Sequence, residues 1–188
     1  MSIDNLQKPK VSILMTVYND EEYVEQSLSS ISNQSYKDYE LILINDGSTD
    51  KSLEIMQSFA EKDLRIKLIN QRNKGLIDSL NAAIAMSKGE FLARMDSDDI
   101  SLPSRLEKQF DYMRKNDLDI CGCHYFIKNK NDKFLDTVFV PLNKNSMLLY
   151  LFQGVPFAHG SVMIKSSFLK NNNLFYGEGK IYAEDKCL

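Results

Sequence analysis

Cysteine is scarce: the 188 residues contain three, at positions 121, 123 and 187. Their number is odd and their spacing fits no zinc-ligand pattern, which excludes a disulfide framework and a structural zinc site and leaves buried, reduced thiols. Long hydrophobic runs are missing too. No apolar stretch approaches the roughly 20 residues that span a bilayer, and the opening "MSIDNLQKPK" lacks the apolar centre of a signal peptide, so a cytoplasmic location is expected. Neither sign of charge prevails, since 23 Lys and Arg are interspersed with 26 Asp and Glu for a net charge of −3. That leaves no basic stripe for nucleic acid and no acidic tail. Glycine is absent from "TVYNDEE" (16–22), where a dinucleotide-binding fold would need G-x-G-x-x-G, so hydride transfer with a nicotinamide is excluded. Internal repeats, low-complexity tracts and an interdomain linker are also lacking.

What the chain does have is enough apolar material, 43% of its residues, for one well-buried core and therefore one domain. "VSILMTV" (11–17) is short, apolar and β-branched, and in the polar stretch behind it Tyr23, Val24, Ser27, Leu28 and Ile31 recur at helical spacing. Asn19 or Asp20 is the expected cap of that helix, with Glu21 and Glu22 in its first turn near the positive end of the helix dipole. The pattern repeats with strands at 39–45, 65–70 and 90–95, a helix in "STDKSLEIMQSFAEK" capped by Ser48 or Thr49, and another in "KGLIDSLNAAIAMSKG". Alternating strands and helices predict βαβ crossovers, hence an α/β fold with a mostly parallel central sheet flanked by helices.

Beyond residue 100 the order becomes mixed. "LPSRLEKQFDYMRKN" is an amphipathic helix with Pro103 near its start and Leu106, Phe110 and Met113 on one face. Strands are expected in "LDICGCHYFI", "FLDTVFV" and "GSVMI", and helices near 144–153 and in "SSFLKNN". The change of character suggests a nucleotide-binding half over about 9–100 and a half for a second substrate over about 101–188.

Ligands of open parallel sheets sit outside the carboxyl ends of the strands. Thr16, Tyr18, Asn19, Asp46, Arg72, Asn73, Asp96, Asp98 and Asp99 all follow strands there. Three carboxylates in "MDSDD" repel one another and raise their own pKa values unless a cation or strong donors sit among them. Mg²⁺ or Mn²⁺, which takes one or two protein carboxylates and completes its shell with water and phosphate oxygens, is the economical remedy. Capping of the following helix by Asp98 or Asp99 is the bland alternative. An EF-hand is excluded, because Ile100 and Ser101 occupy its fifth and sixth positions. An aspartyl nucleophile of phosphatase type, written from Asp96 and Asp98, stays open.

In order and spacing, "TVYND", "INDGSTD", "NKGLIDSLNAAI", "KGEFLARMDSDDISLPSRLEKQ", "HGSVMI" and "AED" resemble family-2 glycosyltransferases of the GT-A fold over about residues 9–188. The resemblance implies transfer of a sugar, with inversion, from a nucleotide diphosphate sugar, usually a UDP sugar, to a hydroxyl acceptor, assisted by Mn²⁺ or Mg²⁺. It puts Thr16 and Tyr18 beside the base, Tyr18 by stacking, and Asp46 against the uracil imide, a donor that a carboxylate accepts well. Arg72 is expected on base or phosphate, Asp96 near the ribose or a metal-bound water, and Asp98 on the metal, within the D-x-D pattern. Arg94 just upstream either pairs with these carboxylates or points outward.

In "YAEDKCL" the resemblance makes Asp185 the general base on the acceptor hydroxyl. An unperturbed aspartate, of pKa about 3.9, is ionised at neutral pH and competent for this. Glu184 is expected to orient the acceptor, and His159 is a weaker acceptor-side candidate, otherwise a packed residue. The implied acceptors are glycans or lipid-linked glycans, with peripheral membrane association through the acceptor. Family members usually continue with a helix and a variable tail, whereas this sequence stops three residues after Asp185, so a shortened form that binds the nucleotide sugar without efficient turnover is the alternative.

Overall fold

The computed structural model describes residues 8–129, 131, 133–143, 145–147 and 158–177. The elements are β1 Val11–Val17, α1 Val24–Ser32, β2 Tyr39–Asp46, α2 Ser52–Ala60, β3 Ile66–Gln71, α3 Leu76–Met86, β4 Phe91–Met95, α4 Arg105–Asn116, β5 Ile120–Cys121, β6 Tyr125–Lys128, β7 Phe134–Val138, β8 Met163–Lys165 and α5 Ser166–Asn171. A 3-10 turn, His159–Ser161, leads into β8.

β1 and β2 are buried along their entire length, as strands sandwiched between helices must be. Ile13, Met15 and Val17 of β1 belong to one apolar layer with Val24, Leu28, Ile31, Met56, Leu106, Phe110 and Met113 from α1, α2 and α4. Leu14 belongs to the opposite layer, with Ile42, Ile44, Ala83 and Leu169. That split follows the period of two of an extended chain. Each fully buried Leu, Ile, Phe or Met in these layers contributes about 1.5–3 kcal/mol against the entropy of ordering the chain.

The six-stranded sheet has the order β3-β2-β1-β4-β8-β5. β3, β2, β1 and β4 are parallel, and β8 joins β4 and β5 antiparallel. The chain therefore winds outward from β1 to β3 and returns to the other side of β1 as β4. That reversal opens a crevice at the carboxyl ends of β1 and β4. Both halves foreseen in the sequence contribute to this one sheet.

Two local expectations are corrected. The strand foreseen in "LDICGCHYFI" divides at residues 122–124 into β5, in the main sheet, and β6, which pairs with β7 in a separate two-stranded sheet. The side chains expected to cap α1 and α2 do not cap them. Instead the two preceding loops exchange hydrogen bonds. Asn19 N–H donates to Ser48 Oγ (3.0 Å), Thr49 N–H to Asn19 Oδ1 (2.8 Å), Glu21 N–H to Asp50 Oδ2 (3.0 Å) and Lys51 N–H to Glu21 Oε2 (2.8 Å). Each loop thus satisfies the other's orphan amides. Most of the helix expected near 144–153 lies outside the described residues. Among the described residues no helix is long and apolar enough to cross a membrane.

Candidate active site

The crevice beside β1 and β4 is a cleft of about 280 Å³. Thr16, Tyr18 and Asp20 line it from the end of β1 and its loop, Asp46 from β2, Asn73, Gly75 and Leu76 from the β3–α3 loop and the start of α3, and Arg94, Asp96, Ser97 and Asp98 from β4 and its loop. Thr16, Tyr18, Asp46, Asp96 and Asp98 are thus brought together. Arg72 is exposed and His159 half-buried, and neither is among the lining residues. Asp185 and Glu184 lie outside the described residues.

Tyr18 is 52% exposed, with its ring at the cleft wall. Such a flat apolar face is suited to stacking on a base. Asp46, by contrast, is 4% exposed and heavily used. Its Oδ1 accepts from Gln71 Nε2 (2.8 Å) and Lys74 N–H (2.9 Å), and its Oδ2 from Gly75 N–H (2.9 Å). Three of a carboxylate's roughly four acceptor positions are filled, so Asp46 anchors the 71–75 loop and retains capacity for one more donor. Gly47 makes that approach possible. It adopts φ +77°, and a Cβ there would lie 2.6 Å from the Asn73 nitrogen.

Arg94, only 5% exposed, turns inward rather than outward. Its guanidinium donates to the carbonyls of Leu14 (3.5 Å) and Met95 and pairs with Asp96, while its buried Nε lacks a partner among the described residues. Ser97 Oγ donates to the carboxylate of Asp20. Asp98 and Asp99 keep an open edge, yet surrounding protein raises both carboxyls, and repulsion from Asp96 adds to the effect. Asp20 also repels Asp98, and Asp98 repels Asp99, whose carboxyl reaches about 6. Asp99 is not among the cleft-lining residues, which leaves Asp96 and Asp98 as the pair facing the ligand space.

Among the described residues no three His, Cys, Asp or Glu side chains converge to hold a metal by themselves. A hard divalent ion that takes one or two carboxylates and finds its other oxygens on water and phosphate fits this donor set, and the raised carboxyl of Asp98 is one that a cation would relieve.

His159 stands beside Arg94 and Asp96, where burial, reinforced by Arg94 and opposed by Asp96, lowers its pKa to about 4. The ring is therefore neutral at pH 7, and its Nε2 meets the Tyr176 hydroxyl at 2.5 Å. Tyr176 is in turn fixed by Asn81, which donates to its carbonyl (3.0 Å) and accepts from its N–H (3.0 Å). The cleft roles of Asp20 and Ser97 escape the sequence, whereas for Arg94 the structure takes the first of the two alternatives, pairing with a carboxylate. In the sequence Asp20 reads as a helix cap, although "TVYND" sets it at the same strand end as Thr16 and Tyr18.

Residues 12–170 match the family model described as Glycosyl transferase family 2. The chain is 35% identical over 168 residues to the O-antigen biosynthesis glycosyltransferase WbnJ of Escherichia coli, covering 89% of this chain and 66% of that one. Among solved structures it resembles S. aureus TarS 1–349 in complex with UDP, with a TM-score of 0.76 and 22% identity over 94% of this chain and 53% of that one. It also resembles the mannosyltransferase PcManGT of Pyrobaculum calidifontis in complex with GDP-Man and Mn²⁺, with a TM-score of 0.67 and 18% identity over 92% of this chain and 48% of that one. These likenesses establish the GT-A fold. The chain spans 57–66% of the length of four curated relatives that it matches.

Proposed function

Because this chain belongs to glycosyl transferase family 2, we propose that it transfers a sugar from a nucleotide diphosphate sugar to a hydroxyl of a glycan or lipid-linked acceptor, with inversion at the anomeric carbon. The observation that carries this reading is the convergence of loops from β1, β2, β3 and β4 on one cleft that has an exposed aromatic ring on its wall and an aspartate pair at its β4 edge. The TarS complex with UDP and the PcManGT complex with GDP-Man support a nucleotide-sugar donor, and we favour a UDP sugar.

In this reading Tyr18 stacks on the base, and the remaining acceptor position of Asp46 takes the imide N–H. Thr16 borders the base at the end of β1, and Arg72 reaches toward base or phosphate from the β3–α3 loop. Asp98, with Asp96, would hold Mn²⁺ or Mg²⁺. When bound, such an ion neutralises charge that builds on the departing diphosphate. Arg94 holds the Asp96 side chain in place beside it through a charge-assisted hydrogen bond.

The acceptor oxygen forms its bond to the anomeric carbon as the sugar–phosphate bond breaks on the opposite face, and its proton passes to Asp185. That assignment, like the acceptor-side role of Glu184, rests on the "AED" motif. WbnJ, by its name an O-antigen enzyme, supports a surface-polysaccharide acceptor, which would bring the protein to the cytoplasmic membrane face.

Thermal denaturation with nucleotides tests the donor reading, since a ligand selective for the folded state raises Tm in proportion to its affinity. UDP together with Mn²⁺ is expected to raise Tm more than UDP alone, and Asp98→Asn to abolish the increment due to Mn²⁺. An identical response in the variant would sink the metal assignment. Asp185→Asn should retain UDP binding and lose transfer to acceptor, and a fully active variant would remove Asp185 from the mechanism.

A further inference from the structure

Gly160 is buried in the 3-10 turn before β8, opposite the acidic loop. A Cβ at this position would lie 2.5 Å from Asp96 Oδ2 and 2.7 Å from Asp99 Oδ2. Its φ lies outside the left-handed region, so the backbone there accepts an L-residue. The glycine is required by what packs on it.

The turn itself is fixed. Ser161 donates to the Ala158 carbonyl through its N–H (2.9 Å) and its Oγ (2.7 Å), and Val162 N–H donates to the His159 carbonyl (3.2 Å). Gln109, 5% exposed, donates to the Ser161 carbonyl (2.9 Å), and Arg94 N–H donates to the Val162 carbonyl (2.8 Å). A backbone held this way cannot retreat from an added methyl, so the two carboxylates would have to move.

Asp96 and Asp99 are also the two ends of one tight turn, closed by Asp99 N–H on the Asp96 carbonyl (3.4 Å), with Asp98 between them. Arg94 grips Asp96 through Oδ1. The space that Gly160 leaves open is therefore taken by Asp96 Oδ2 and Asp99 Oδ2, one at each end of the turn that presents Asp98. We propose that Gly160 is a positioning residue for the acidic loop: its missing side chain lets Asp96 and Asp99 seat against a rigid turn and so holds the pair Asp96 and Asp98 in place for a divalent cation. The inference rests on the metal-assisted reading above.

The test is calorimetric titration of Mn²⁺ into the 188-residue chain saturated with UDP, alongside UDP titration without metal and far-UV circular dichroism. Gly160→Ala is expected to keep its circular dichroism and its metal-free UDP affinity and to bind Mn²⁺ about tenfold more weakly or worse, the usual scale for losing an outer support of a metal ligand. Wild-type Mn²⁺ affinity in Gly160→Ala, or a loss of metal-free UDP affinity as large as the loss of Mn²⁺ affinity, would overturn the proposal. Absence of Mn²⁺ binding by the wild type would overturn the metal-assisted reading and this proposal with it.

Discussion

Single residues here are constrained by what their neighbours forbid. Gly47 is the clearest case, because its φ of +77° and the 2.6 Å separation of a would-be Cβ from the Asn73 nitrogen act together. Alanine there must adopt a left-handed conformation and displace main chain, at about 2 kcal/mol or more. Gly47→Ala should therefore lower the urea midpoint, and since the displaced chain is the loop held by Asp46, UDP affinity should fall with it. Glu40 illustrates the opposite case, a polar group whose burial is compensated. At 4% exposure it accepts from Ser12 Oγ (2.6 Å) and Lys88 N–H (2.7 Å) and pairs with Lys67. Burial alone would raise its carboxyl, but these three donors hold it below its ordinary 4.5.

At the scale of elements, Gln34 ties α1 to α4. Wholly buried beyond the end of α1, it donates through Nε2 to the carbonyls of Ser101 (3.2 Å) and Leu102 (2.8 Å) and accepts at Oε1 from Leu106 N–H (3.2 Å). The first turn of α4 is thus satisfied from the segment after α1, and the loop carrying Asp96 to Asp99 is pinned at its far end. Gln34→Leu strands these groups without a partner and should cost about 2 kcal/mol or more in chemical denaturation; an unchanged midpoint would remove it from this role. Gln34 was invisible in the sequence, since a glutamine at a helix end looks like any solvated residue. The βα succession, the residues 91–95 strand and the Leu106, Phe110, Met113 face were legible because their periodicity is imposed by burial within a single element. The caps were misassigned because the loops before α1 and α2 satisfy one another across 29 or 30 positions, a pairing that no local pattern encodes. In the same way "DSDD" announced a charged loop, while its seat on Gly160 depends on the antiparallel arrival of β8 beside β4.

The whole molecule is organised along its strands. At the end of the sheet away from the cleft, Ser12, Glu40, Lys67, Lys88 and Gly89 form one polar network, with Gly89 N–H on Ser12 Oγ at 2.8 Å. Its titration gives a pH dependence of known sign. Because the folded carboxyl of Glu40 is lower than the unfolded one, its stabilisation is complete above pH 4.5 and is lost as pH falls through the folded value. Glu40→Gln should flatten the acid limb of global stability followed by denaturation against pH, with UDP binding at neutral pH unchanged. An identical acid limb in the variant would show that Glu40 does not titrate this way.

At the opposite pole the 71–75 loop draws on Asp46, and in the proposed reading the imide of a bound base would draw on it too. On that reading, occupancy of the base site and order of the loop would be two readings of one equilibrium. Deuterium uptake at the amides of Lys74 and Gly75 should track nucleotide concentration, turning a scaffold hydrogen bond into a reporter of the ligand beside it.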